Sequence, residues 1–330
     1  MTRHRKRFPI IINGLGLLVV ATPFFSVAAQ TPNEIKPTSS IAPGIAGVVA
    51  QGTPVELLAT DLGGSEGPVA APDGSLLFTA GPSILKVNED GKIVPYLADA
   101  NGITGLGFDS QGRLIAARTE PAQLLVLKPE RKILLDTFDS KPLLRPNDLT
   151  IDKNGGIYFS DQPRRPTQRQ VPGRQKGLLY LTPNGSVIQV DDQIEAPNGV
   201  VLSPDEKVLY AADSWGDTLL AFDVAKGGTL TNRRPFGHLE AAATRTPTGI
   251  LRSADGLAVD AAGRLYAATR IGVEVFTPSG QYLGTIPITG GIGPQNVAFA
   301  GPSKQTLYVV GGRAIWRIRM LAQGYRGRAK

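Results

Sequence analysis

A chain of 330 residues without a single cysteine excludes disulfides, thiolate metal sites and a cysteine nucleophile at once. Basic residues outnumber acidic ones, 35 to 28, but Arg3, Arg5, Lys6 and Arg7 precede an apolar run from Ile10 to Val27 that closes on Ala28 and Ala29. This is the layout of a secretory signal peptide over residues 1–29, and beyond it the basic excess is only three, too small to argue for a polyanionic partner.

Asn13 and Pro23 inside the run favour cleavage after Ala29 over retention as a membrane anchor, so a periplasmic or secreted protein is expected. Residues 30–52, rich in Pro, Thr, Ser, Ala and Gly, read as a flexible linker, 53–322 as the folded domain and 323–330 as a basic tail. Further basic residues gather at Arg164, Arg165, Arg169, Arg174 and Lys176. Without interleaved aromatics they read as solvated surface, and neither nucleic acid nor a membrane is expected as a partner.

From Val55 onward the chain repeats a unit of apolar strand, turn and apolar strand. The turn and second strand recur as APDGSLLF from Ala71, DSQGRLIAA from Asp109, DKNGGIYFS from Asp152, SPDEKVLYAA from Ser203, DAAGRLYAAT from Asp260 and GPSKQTLYVV from Gly301. Six such copies predict an all-β, six-bladed propeller, its ring closed by pairing PVELLAT near Val55 with AIWRIRM near Ile315. No spacing of three to four apolar residues persists over several turns; the one helix-like run is Leu239 to Thr246.

Ten positions before the second strand of each copy stand Glu66, Thr104, Asn147, Asn198, Asp255 and Asn296, all polar. In a propeller the first strand of each blade faces the central channel, so these six should meet at one mouth. A water-filled polar ring would be the plainest outcome. Two carboxylates about 5 Å apart, however, repel by roughly 3 kcal/mol at an effective dielectric near 20, and the ring has no Lys, Arg or His to offset them. A divalent cation is the natural compensation. Oxygen donors of this kind suit Ca²⁺ first and Mg²⁺ or Mn²⁺ next, with Zn²⁺ as an exchangeable substitute.

The segments EGPVAAPDGSLLFTA, RPNDLTIDKNGGIYFSD, APNGVVLSPDEKVLYAADS and ADGLAVDAAGRLYAAT resemble the signature segments of the family of gluconolactonase, regucalcin (SMP-30) and luciferin-regenerating enzyme, over about Val55 to Met320. The resemblance implies a divalent cation held by Glu66, Asn198 and Asp255, with Asn147 beside the metal or the substrate and Arg145 among the substrate contacts. It further implies a hydrolase of a small-molecule lactone, in which the metal would polarise the carbonyl with Asp255 as candidate general base or, in the variant of the phosphatase-like relatives, direct nucleophile; a monomer or small homo-oligomer is expected. A basic, Pro-rich insertion from Pro163 to Gln175, a candidate lid, departs from the family pattern.

The string GGSEG at Gly63–Gly67 matches G-x-S-x-G, but Pro68 and a strand follow it where a helix is required. Outside the export segment His238 is the one histidine, which leaves no base for a serine triad and no histidine dyad. Two other readings stay open at this point: a non-catalytic exported propeller with a structural cation, and a hydrolase of phosphotriester type.

Overall fold

The computed structural model describes residues 38–164, 170–243, 253–289 and 293–327. The export segment, residues 30–37 of the expected linker and the middle of the 163–175 insertion lie outside the described residues. The described chain is all-β, with two short 3-10 turns, one of which, Glu240–Ala243, falls in the helix-like run, whose residues 244–246 lie outside the described residues.

Among the described residues six antiparallel sheets of four or five strands follow one another along the chain, beside one two-stranded hairpin, and the innermost strands of the six are Ser65–Ala70, Ile103–Phe108, Pro146–Ile151, Pro197–Leu202, Ala254–Val259 and Asn296–Ala300. Each innermost strand packs beside the next and the sixth beside the first, which closes a six-bladed propeller. Closure comes from the strand Pro54–Ala59, which pairs with Ala314–Arg319 in the sixth blade, placing Val55 opposite Ile318 and Leu57 opposite Trp316. The segments near Val55 and Ile315 are thus joined as the sequence predicts.

The repeated turn works by the same local chemistry in three of the six copies. Asp109, Asp152 and Asp260 each accept two backbone N–H groups of their own turn through one carboxylate oxygen. Gly74, Gly112, Gly155 and Gly263, two residues before the second strand, have φ between 74° and 88°, the left-handed region that favours glycine. Glu206 and Lys304 take the same position and the same hand in the fourth and sixth blades. In the first blade Asp73 also accepts Lys86 Nζ at 2.6 Å and Ser75 Oγ at 2.5 Å, contacts that depress its pKa to about 2.

A carboxyl held below its unfolded value of about 4 contributes stability above that pH and loses it as pH falls toward 2. Asp73→Asn is therefore expected to lower the urea midpoint at pH 7 by a small amount, under about 1 kcal/mol because the pair is solvent-exposed. The difference should shrink steadily below pH 4. A gap that stays constant down to pH 3 would assign the loss to the turn and not to the charge.

The core lies between the blades, where Trp316, Tyr158, Tyr266, Phe78, Phe159, Phe222 and Phe276 are fully buried among Leu, Val and Ala. Three expectations need correction. Residues 38–52 are not a flexible linker: Ser40–Ile41 pairs with Pro54–Ala59, and Ala42, Ile45, Val48 and Val49 are buried against the fifth and sixth blades. Apolar side chains spaced among Gly and Pro show no period, yet each fills a gap in the packing. The basic tail starts later than 323, because Gln323 O accepts from Ala261 N and Gly324 N donates to Lys304 O. Arg174 is not solvated surface, for its side chain is 2% exposed.

Candidate functional site

The fold brings the six predicted residues to one end of the channel. Glu66, Thr104, Asn147, Asn198 and Asp255 are each the second residue of their innermost strand, and Asn296 is the first of its own. In the first five blades the pairing with the second strand becomes irregular at or beside this residue, a bulge that leaves Thr104, Asn147, Asn198 and Asp255 out of the ladder and begins just after Glu66, which still pairs with Thr79. Gly67, Gly105, Gly199 and Gly256 follow the ring residue in four blades. A side chain on any of them would collide with Thr104 O, Asn147 O, Asp255 O or the Asn296 amide of the next blade. Glycine there lets the inner strands close around the channel at the level of the ring.

The ring residues are not equivalent. Glu66 Oε1 accepts Gln295 Nε2 at 3.0 Å, and Oε2 accepts Gly67 N at 3.2 Å and Asn296 Nδ2 at 3.4 Å. The Asn296 oxygen is turned back to its own strand, accepting Val297 N at 2.9 Å, so Asn296 serves Glu66 as a donor. Thr104 Oγ1 donates to Asn147 O at 2.9 Å. Asn198 Nδ2 donates to Ser214 Oγ at 2.8 Å, and Ser214 Oγ donates to Ala254 O at 3.0 Å, next to Asp255. With its nitrogen fixed in this way, the buried Asn198 Oδ1 is left without a hydrogen-bond partner.

Burial pushes the Glu66 carboxyl well above the usual carboxylate range, and the negative charges of Asp255 and then Asp148 push it further. Asp148 is fully buried, with Oδ1 accepting Leu149 N at 2.9 Å. Sequence reasoning passed over this third carboxylate, although a polar residue standing where other blades carry glycine was the available signal. Among the described residues no trio of His, Cys, Asp and Glu side chains forms a metal cage by itself. A cation here would depend on amide oxygen, and the orphaned Asn198 Oδ1, at one register with two mutually repelling carboxylates, fits a hard divalent ion.

One more buried network shapes this end. Asp161, at the end of the strand paired with Pro146–Ile151, is fully buried. Its carboxylate accepts Leu144 N, Arg145 N at 2.7 Å and Arg174 Nη2 at 2.7 Å. Arg145 Nη1 in turn donates to Pro163 O at 3.3 Å, and Arg164 Nη2 to Leu143 O at 3.0 Å. Both described ends of the insertion are thus tied to the segment that carries Arg145 and Asn147. Ser65, the serine of GGSEG, is a buried strand residue whose Oγ donates to Ala314 O, which rules it out as a nucleophile.

A family profile described as "SMP-30/Gluconolactonase/LRE-like region" matches residues 64–313. Gluconolactonase of Zymomonas mobilis is 26% identical over 306 residues, covering 85% of each chain. Lactonohydrolase oryL of Aspergillus oryzae is 31% identical over 207 residues, 54% of this chain and 44% of that protein. The solved structure of a gluconolactonase from Xanthomonas campestris, 27% identical, superposes with a TM-score of 0.75 over 88% of this chain and 99% of its own. Profile, relatives and structure agree in fold and in extent, and the chain belongs to the SMP-30/gluconolactonase/LRE-like family.

Proposed function

We propose that this protein is a divalent-metal-dependent lactone hydrolase that opens a sugar lactone to its hydroxy acid. The observation that carries the reading is the ring of Glu66, Asn198 and Asp255 at one channel end, with Asn198 Oδ1 buried and unpartnered. The gluconolactonase and lactonohydrolase relatives support the substrate class. Glu66, Asn147, Asn198 and Asp255 would hold the cation. When bound, it supplies Lewis-acid polarisation of the lactone carbonyl and offsets the negative charge that develops on the carbonyl oxygen.

The chain's own groups do the rest. The Asp255 carboxylate takes a proton from the attacking water and passes the same proton to the ring oxygen as it leaves, so that a carboxylic acid and a hydroxyl result, and the acid then releases its remaining proton to solvent. Arg145 orients the substrate through its planar guanidinium, whose position is set by Asp161 beneath its backbone and Pro163 O at its tip. Glu66 is kept in place by Gln295 and Asn296. We further propose export by the segment 1–29, which N-terminal sequencing of the mature protein would test.

Dialysis against a chelator is expected to abolish opening of D-glucono-1,5-lactone, and Ca²⁺, Mn²⁺ or Zn²⁺ to restore it. The same ions should raise Tm by the linkage of binding to folding, about 2.7 kcal/mol at a hundredfold excess over Kd. Undiminished turnover in rigorously metal-free protein would sink the metal reading. A metal-loaded protein that opens no lactone would sink the lactonase reading and leave a binding propeller or a phosphotriesterase.

A further inference from the structure

The polar ring leaves one requirement of a sugar site unmet. Small-molecule sites combine a few placed polar groups with an apolar wall, and the ring of Glu66, Thr104, Asn147, Asn198, Asp255 and Asn296 provides only the former. Among the described residues the exposed large hydrophobic side chains are Ile41, Tyr96, Ile133, Trp215, Tyr282 and Leu321. Tyr96, Ile133 and Tyr282 lie on outermost strands of their blades and Ile41 on the added edge strand, all far in the sheet order from the channel. Trp215 alone among the three exposed aromatics sits on a connection at the ring end of its blade, 51% exposed, after the strand Val208–Asp213 whose last residue pairs with Pro197.

That connection is rigid. The Asp213 carboxylate accepts Ala196 N at 3.0 Å, Glu195 N at 3.2 Å and Trp215 N at 3.0 Å. Gly216 N closes the turn on Asp213 O at 3.1 Å, and Ser214 N donates to Ala196 O at 2.9 Å. Ser214, the residue before the indole, holds Asn198 Nδ2 and so fixes the orphaned Asn198 oxygen. One short turn therefore sets the amide of a ring residue and carries a half-exposed indole on the next residue, at the ring end of the blade.

Resting on the lactonase reading, we infer that Trp215 is a specificity-determining residue whose indole face packs against the C–H face of a pyranose-type sugar lactone. The polar ring and Arg145 would then take its oxygens. Trp has the largest flat apolar face available, and its contact with a sugar ring uses hydrophobic area without removing hydroxyls from their partners.

The two tryptophans make the test selective, because Trp316 is 1% exposed in the core and Trp215 is the reachable one. The protein is titrated with the lactam of gluconic acid, an analogue that resists opening, while tryptophan emission is followed. A saturable change is expected in the parent and its loss in Trp215→Ala. In turnover of D-glucono-1,5-lactone, Trp215→Ala is expected to raise KM about three- to tenfold, the weight of one aromatic contact, with a smaller change in kcat, and Trp215→Tyr to recover most of the KM. A saturable signal that survives in Trp215→Ala, or an unchanged KM in a variant that still turns over lactone, overturns the inference. A parent that opens no lactone yet shows the Trp215-dependent signal retains the sugar contact and overturns the hydrolase reading instead.

Discussion

Asp255→Asn is expected to remove lactone opening by a factor of about 10² to 10⁴, the range for loss of a placed general base, and the metal-dependent gain in Tm should fall with it. The metal-free variant, by contrast, should be no less stable than the metal-free parent. Asp255 shares a small space with Glu66, whose carboxyl is already disfavoured as an anion by burial and then by Asp255 itself. Removing one of two like charges relieves repulsion that a bound cation, or a proton on Glu66, otherwise offsets. Activity and metal-free stability should therefore move in opposite directions at this position, as is common where a site is built for function at the expense of the fold. Paired measurements of turnover and of urea midpoint, each with and without metal, check this. A variant that loses stability without metal, in proportion to its loss of activity, would make Asp255 a structural residue and leave the base unassigned.

The features of this site that repeat along the chain are legible in the sequence. A turn recurring before an alternating strand predicted six blades, and a fixed count back from the strand reached Glu66, Asn198 and Asp255, because every blade obeys the same period-two geometry. What failed to repeat was missed. Asp148 stands in one blade where four others carry glycine, and its negative charge pushes up the Glu66 carboxyl two blades away. Arg174 sits in a basic, Pro-rich stretch whose composition reads as solvated, and its partner Asp161 is set by tertiary folding alone. Val48 and Val49 lie among Gly, Ala and Pro without alternation, and their burial depends on the closing blade. Composition describes a segment on its own, whereas burial of a lone side chain depends on what the rest of the chain places above it.

Arg174 and Asp161 give the second large expected effect. Burial works against both charges, raising the Asp161 carboxyl and lowering the guanidinium, while the 2.7 Å pair and the Leu144 and Arg145 amides work in favour of the anion. Asp161→Ala would strand a guanidinium with almost no access to water and leave two backbone N–H groups without their acceptor, a loss of about 3–5 kcal/mol. Arg174→Met should cost less. The Phe138 ring, 4.8 Å from the guanidinium carbon, still offers the new side chain an apolar contact, though Asp161 loses its counter-ion. In the double variant neither charge remains unpaired, so its loss is expected to fall short of the sum of the two single losses, and a double-mutant cycle in urea measures the shortfall. The chemistry should register the same coupling. Asp161 holds the backbone of Arg145 two residues before Asn147, so conservative Asp161→Asn should raise KM more than it lowers kcat, because it loosens substrate orientation while the ring of Glu66, Asn198 and Asp255 stays in place. Strict additivity in the cycle, or a fall in kcat with KM unchanged, would separate the buried pair from the positioning of Arg145.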